Sequence, residues 1–104
     1  MDDYTRLARR QLAESIQDAI NGRLDLLDVC RVIVMNRHQA GLIDCDALDT
    51  VIAIESELDD VPTDAQRGLF GPAYFAEKQR QKSEYIEHVR TDLMSALRVL
   101  LSAL

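Results

Sequence analysis

The chain has 104 residues, 47% of them apolar and 29% charged, with a net charge of −6 and two cysteines. That length allows one domain with a single core, and the balance is that of an ordered globular chain rather than a disordered one. The negative charge, with no dense basic run against it, makes nucleic acid a poor first choice of partner.

No stretch reaches the roughly 18 consecutive apolar residues of a membrane-spanning helix. The opening MDDYTRLARRQ carries no apolar run of signal-peptide length. A soluble cytoplasmic protein is therefore expected. In a reducing compartment Cys30 and Cys45, without a CxxC or a Cys/His framework around them, are expected to be free thiols.

The first helix is expected from Tyr4 to Ile20, where Leu7, Leu12, Ile16, Ala19 and Ile20 fall near one stripe and Asn21-Gly22 supplies a stop. A second begins at Asp25, a plausible cap, and runs to Gly41. Its VIVM stretch has β-branched residues that favour a strand, yet Leu26, Leu27, Cys30, Ile33, Val34 and Arg37 keep helical spacing. A third opens at Asp44 or Asp46 and carries Leu48, Val51, Ile52 and Leu58 before Pro62 closes it. Residues 59 to 72, DDVPTDAQRGLFGP, form the longest irregular connection, with room for one helical turn after Thr63. From Ala73 onward no Gly or Pro interrupts what can be a single helix of about thirty residues. That helix would be roughly 45 Å long, against a diameter of roughly 33 Å for a compact domain of this size. Its core stripe is Ile86, Val89, Leu93, Leu97, Leu100 and Leu104, whereas EKQRQKSE at 77 to 84 has no apolar face, so the N-terminal half is the part that overhangs. The expected fold is all-α, a four-helix array or bundle with a long C-terminal helix, as one domain spanning 1–104.

Charge along the chain is uneven. Asp44 to Asp64 holds eight acids and no Lys or Arg, while the rest has ten acids against twelve bases, so this segment accounts for all of the net negative charge. Within it, IAIESELDDVPTD at 52–64 begins as a buried face and ends as a run of carboxylates. On a regular helix Glu55 and Asp59 would stand one turn apart, with Glu57 and Asp60 as a neighbouring pair.

These acids do not match a metal framework. A di-metal bundle needs Glu-x-x-His, and EYIEH at 84–88 places His88 four residues after Glu84. DCDALDTVIAIE starts and ends like a calcium loop but lacks the central glycine. His38 sits near the end of the second helix, where its charge suits the dipole, and His88 lies among Glu84, Glu87 and Asp92. No nucleophile and base can be paired from the sequence, so catalysis, metal and cofactor are not expected. GLFGP lacks the ending of a nucleotide loop. Leu69, Phe70, Tyr74 and Phe75 form an aromatic-rich cluster beside the acids, which reads either as a loop lid tucked onto the core or, more sharply, as the combination of anchor and charged rim found at protein-binding surfaces.

Three stretches, INGRLDLLDVCRVIV, IAIESELDDVPTDAQRGLF and VRTDLMSALRVLL, resemble a group of small helical bacterial proteins of unassigned function, some of which look like immunity proteins of polymorphic toxin and contact-dependent inhibition systems. The similarity runs from about Ala19 to Leu101 and rests on the Asn-Gly helix stop, an SE followed by acids and a proline, and an aromatic-containing turn. Phe70 stands where the group's turn is expected to have a tryptophan. The resemblance implies an inhibitor that binds and blocks a cognate toxin, without chemistry of its own.

The charge pattern agrees in sign, since an acidic patch steers association with a basic partner such as a toxin domain. Glu55, Glu57, Asp59, Asp60 and Asp64 are the expected electrostatic contacts, with Phe70 and Tyr74 as anchors. The rival expectation is a helical adaptor or regulatory subunit that forms a homodimer through the last helix, around Leu93 and Leu97.

Overall fold

The first helix, α1 (Asp3–Ile20), starts under Asp2, whose carboxylate accepts the Thr5 N–H at 2.6 Å. It ends at Gly22, which takes φ 79°. There the Gly22 N–H donates to Ala19 and the Arg23 N–H to Asp18, at 3.1 and 2.8 Å, a paired closure that uses the helix's last carbonyls. The computed structural model to which these contacts belong describes all residues from Met1 to Leu104.

Asp25 caps α2 (Leu26–Asn36), accepting the N–H groups of Leu27 and Asp28 at 3.1 and 3.2 Å. The VIVM stretch is helical; Val29, Cys30 and Ile33 around it are wholly buried, so burial at helical spacing overrides the β-branched preference. Regular helix stops at Asn36, short of the expected Gly41, and a turn covers the interval. Gly41 (φ 65°) still makes the final closure, with its N–H on His38 and that of Leu42 on Arg37.

Neither Asp44 nor Asp46 caps α3 (Asp46–Glu57). Cys45 holds the cap position without a side-chain bond, and Asp46 is the first helical residue. The helix ends at Glu57, ahead of Pro62, because Leu58 and Val61 turn back into the core. A 3-10 helix (Asp64–Leu69) follows where a helical turn was expected; Thr63 accepts from Gln66 and the Gln66 side chain accepts the Thr63 N–H. Gly71 and Pro72 then set the start of α4 (Pro72–Ala103), a single helix of 32 residues.

Each helix packs on its two neighbours in sequence, and α1 closes on α4, giving the up-down-up-down order of a four-helix bundle. The core is wholly apolar, with no buried polar side chain. Ile86, Leu93, Ala96, Leu97 and Leu100 of α4 enter it against Leu12, Ile16, Leu27, Ile33, Leu48 and Val51. Leu93 and Leu97 are therefore engaged by the chain's own helices and cannot meet a second copy without opening the core.

The molecule measures 47 × 27 × 23 Å, and its long dimension is that of α4, roughly 48 Å at 1.5 Å per residue. The overhang is the N-terminal half, as its polar sequence implies: the main core takes nothing from α4 before Tyr85. No helix is long and apolar enough to cross a membrane.

Candidate functional site

Residues 58–71 position the site by returning to the bundle and then wrapping the overhang of α4. Leu58, Val61 and Pro62 are buried, and Arg31 on α2 donates to the Val61 carbonyl at 2.6 Å. Beyond Pro62 the segment rises to the surface and covers Phe75, which is buried apart from the main core. The Arg67 guanidinium lies 4.4 Å from the Phe75 ring centroid.

Polar residues of α4 complete the clasp. Lys78 pairs with Asp60, Gln79 donates to the Pro62 carbonyl, and Lys82 reaches Asp25 at the head of α2, 3.2 Å away. Lys78 holds the Asp60 carboxyl below its usual range, chiefly through this hydrogen bond. Further along, Arg80 bridges Glu77 and Glu84, and the Arg80 and Gln81 hydrogen bonds lower the Glu77 carboxyl to about 2. Charged pairs thus stand where the EKQRQKSE stretch has no apolar face to bury.

The structure divides the expected site residues into two groups. Phe70 and Tyr74 are 39% and 45% exposed and stack on each other, with centroids 5.3 Å apart and planes 19° from parallel. Leu69 beside them is 77% exposed, and the Lys78 ammonium lies 5.6 Å from the Tyr74 centroid. The chain of contacts runs Asp60, Lys78, Tyr74, Phe70. Asp64 faces Arg67 at 3.7 Å, so both expected acids in this aromatic patch already have basic partners.

Glu57 and Asp59 are exposed and take part in none of the chain's ion pairs. Glu55 does not join them. It is half-buried on the side of α3 towards α2, where its charge acts on the Cys30 thiol. Because α3 stops at Glu57, Glu55 and Asp59 do not form the one-turn pair that a longer helix would give.

Glu57 instead shares a face with Ala53, Asp49 and Asp46, at spacings of four, eight and eleven residues. Asp46 also lines a shallow groove between α3 and α4 opposite Asp92, over the small side chains of Ala47 and Ala96. Sequence reasoning counted Asp46 and Asp49 among the acids without placing them in the site, although their helical spacing from Glu57 was the available signal. It also missed Arg67 and Lys78, because what neutralises Asp60 and Asp64 depends on where the connection folds.

The acids at the end of α3 work against their own helix. The last turn has no basic residue, while Glu55 and Glu57 lie within it and Asp59 and Asp60 follow. Negative charge is unfavourable at a helix C-terminus by a few tenths of a kcal/mol per exposed group. Asp46 and Asp49, in the first turn, have the favourable placement.

Other chemistry is sparse. His38 and His88 are exposed, and no cluster of three or more His, Cys, Asp or Glu side chains is arranged to hold a metal ion. Both cysteines are free, Cys45 exposed and Cys30 buried; burial, then the charges of Asp25 and Glu55, push the Cys30 thiol up to about 12. No family model matches the chain, and comparison with curated proteins and with solved structures finds no match to it either.

Proposed function

We propose that this chain is an acidic protein-binding module, and most specifically an immunity protein that binds and occludes a cognate basic toxin domain. The observation that carries the reading is the row of carboxylates on α3 and just beyond it, Asp46, Asp49, Glu57 and Asp59, exposed and without a basic partner in the chain. Two of the four sit at or beyond the C-terminal end of α3, where they cost local stability, and a cationic partner would reverse that cost. The exposed Phe70–Tyr74 stack beside Lys78 and Asp60 supplies a rigid aromatic anchor with polar groups around it. The immunity role comes from the sequence resemblance, and the partner's basic character from the charge.

The test is capture from the source cells at low salt, with the wild-type chain and an Asp49→Lys/Glu57→Lys variant as parallel baits. A basic partner retained by the wild type, released by salt and lost from the variant is expected. The partner's activity should also disappear in the complex. Equal capture by both baits, or a captured partner that remains active, would reject the reading.

A further inference from the structure

The groove between α1 and α2 differs in character from the rest of the surface. In a chain that is 29% charged, no charged residue lines this cleft of about 260 Å³. Tyr4, Leu7 and Gln11 form its α1 wall, and Val32 and Asn36 of α2, with Gln39 of the following turn, the other. Tyr4 is 67% exposed, and Met35, one turn after Val32 on α2 and bordering the groove rather than lining it, is 79% exposed. Depletion of charge together with exposed Tyr, Leu and Met is the composition of an interface centre.

The neighbouring edge of α1 indicates what covers it. Arg6, Arg10, Glu14 and Asp18 follow one another at four-residue intervals along the helix, two bases and then two acids. Such a row is one of the ridges through which helices most often pack. An antiparallel copy presents the same row in reverse. A two-fold axis at the level of Leu12 therefore sets Arg6 of one protomer against Asp18 of the other, and Arg10 against Glu14, with every pair attractive. Within the chain Arg6 and Asp18 have only long ion pairs, 3.8 Å to Asp3 and 3.9 Å to Arg23, with the side chains at least half exposed; Arg6 also donates to the Met1 carbonyl at 3.2 Å, which leaves its charge without a close carboxylate.

The ring order of the helices adds a second constraint. α3 packs on α2 and α4, across the bundle from α1, so a contact through α1 keeps the acidic faces of two copies apart. At a net charge of −6, contact through α3 would bring like charges together. We propose that the α1 edge and the α1/α2 groove form the isologous interface of a homodimer, with both acidic faces directed outward. This dimer is independent of the identity of any basic partner.

Sedimentation of the purified full chain at low salt, from low micromolar to sub-millimolar concentration, tests it. A monomer–dimer equilibrium is expected, weakened about tenfold or more by Met35→Glu or Leu7→Glu with the helical circular dichroism unchanged. Arg10→Glu alone and Glu14→Arg alone should each weaken self-association. The double exchange should restore it, and a mixture of the two single variants should form heterodimers in preference to either homodimer. A monomer at every concentration overturns the proposal, as does a dimer indifferent to Met35→Glu, or a charge exchange that restores nothing. The charge variants alter only exposed side chains, so their results stand even if Leu7→Glu fails to fold.

Discussion

Arg9 donates a 2.9 Å hydrogen bond from Nη1 to the carbonyl of Ala40, a residue 31 positions away that closes the turn after α2. Its Nη2 reaches the Ala103 carbonyl at the end of α4, so one guanidinium ties three parts of the same end of the bundle. Arg9→Met keeps most of the aliphatic stem and removes both bonds. The expected loss is about 2 kcal/mol, the worth of a hydrogen bond to a charged group. For a chain of this size that lowers the melting temperature by about 10 °C. An unchanged unfolding midpoint would mean that water replaces both bonds at no cost.

Phe75 is buried yet separate from the main core, with the Arg67 guanidinium over its ring. Phe75→Ala should therefore loosen residues 58–71 while leaving the bundle folded. The local cost is roughly 3 kcal/mol, at the low end for an aromatic truncation because the remaining pocket can collapse. Faster tryptic cleavage after Arg67 with little change in global melting is the expected result. Cooperative loss of the whole fold would instead make Phe75 part of the central core.

The bundle was legible because its signals are local. Gly22 ends α1 at a position that can be read directly, Gly41 closes the turn that follows α2 rather than the helix itself, and Ile86, Leu93, Leu97 and Leu100 announce the inward face of α4 by spacing alone. The overhang was legible for the complementary reason, since EKQRQKSE offers nothing apolar to bury. The site was less legible because Asp60 is balanced by a residue distant in sequence, and the Asp64–Arg67 pair forms only where the connection takes up its 3-10 helix. Asp60 and Lys78 are 18 positions apart, and nothing in DDVPTD shows that one of its carboxylates is neutralised. The end of α3 was misplaced because Pro62 is a conspicuous breaker, whereas the return of Leu58 and Val61 to the core is a tertiary event.

Asp28 stands in the first turn of α2, where the helix dipole favours its charge, but its carboxyl is raised above the usual range. Burial is the largest cause, with the neighbouring charge of Asp25 next; Lys82 and Arg31 only partly oppose them. A carboxyl with a folded pKa above its unfolded value contributes full stability below the unfolded value, and that contribution is lost as pH rises through the folded one. Asp28→Asn should therefore raise the melting temperature at pH 7 and leave it little changed near pH 3, below the ordinary aspartate value of about 3.9. A variant less stable than wild type at pH 7 would show that the dipole outweighs burial.

Glu57 sets local stability against docking most directly. It is the last residue of α3, is exposed, lacks an ion-pair partner and follows Glu55 in a turn without a base. Glu57→Gln relieves the unfavourable meeting of negative charge with the helix terminus and should stabilise the chain by a few tenths of a kcal/mol. If the α3 carboxylates form a docking face, the same change should slow association with a basic partner and flatten the salt dependence of the rate, since steering depends on the total charge of the patch. Chemical denaturation and stopped-flow association at several ionic strengths read the two effects separately. A gain in stability with no change in association rate would mean that the charge at Glu57 serves solvation alone, and would move the docking face towards Asp46 and Asp49.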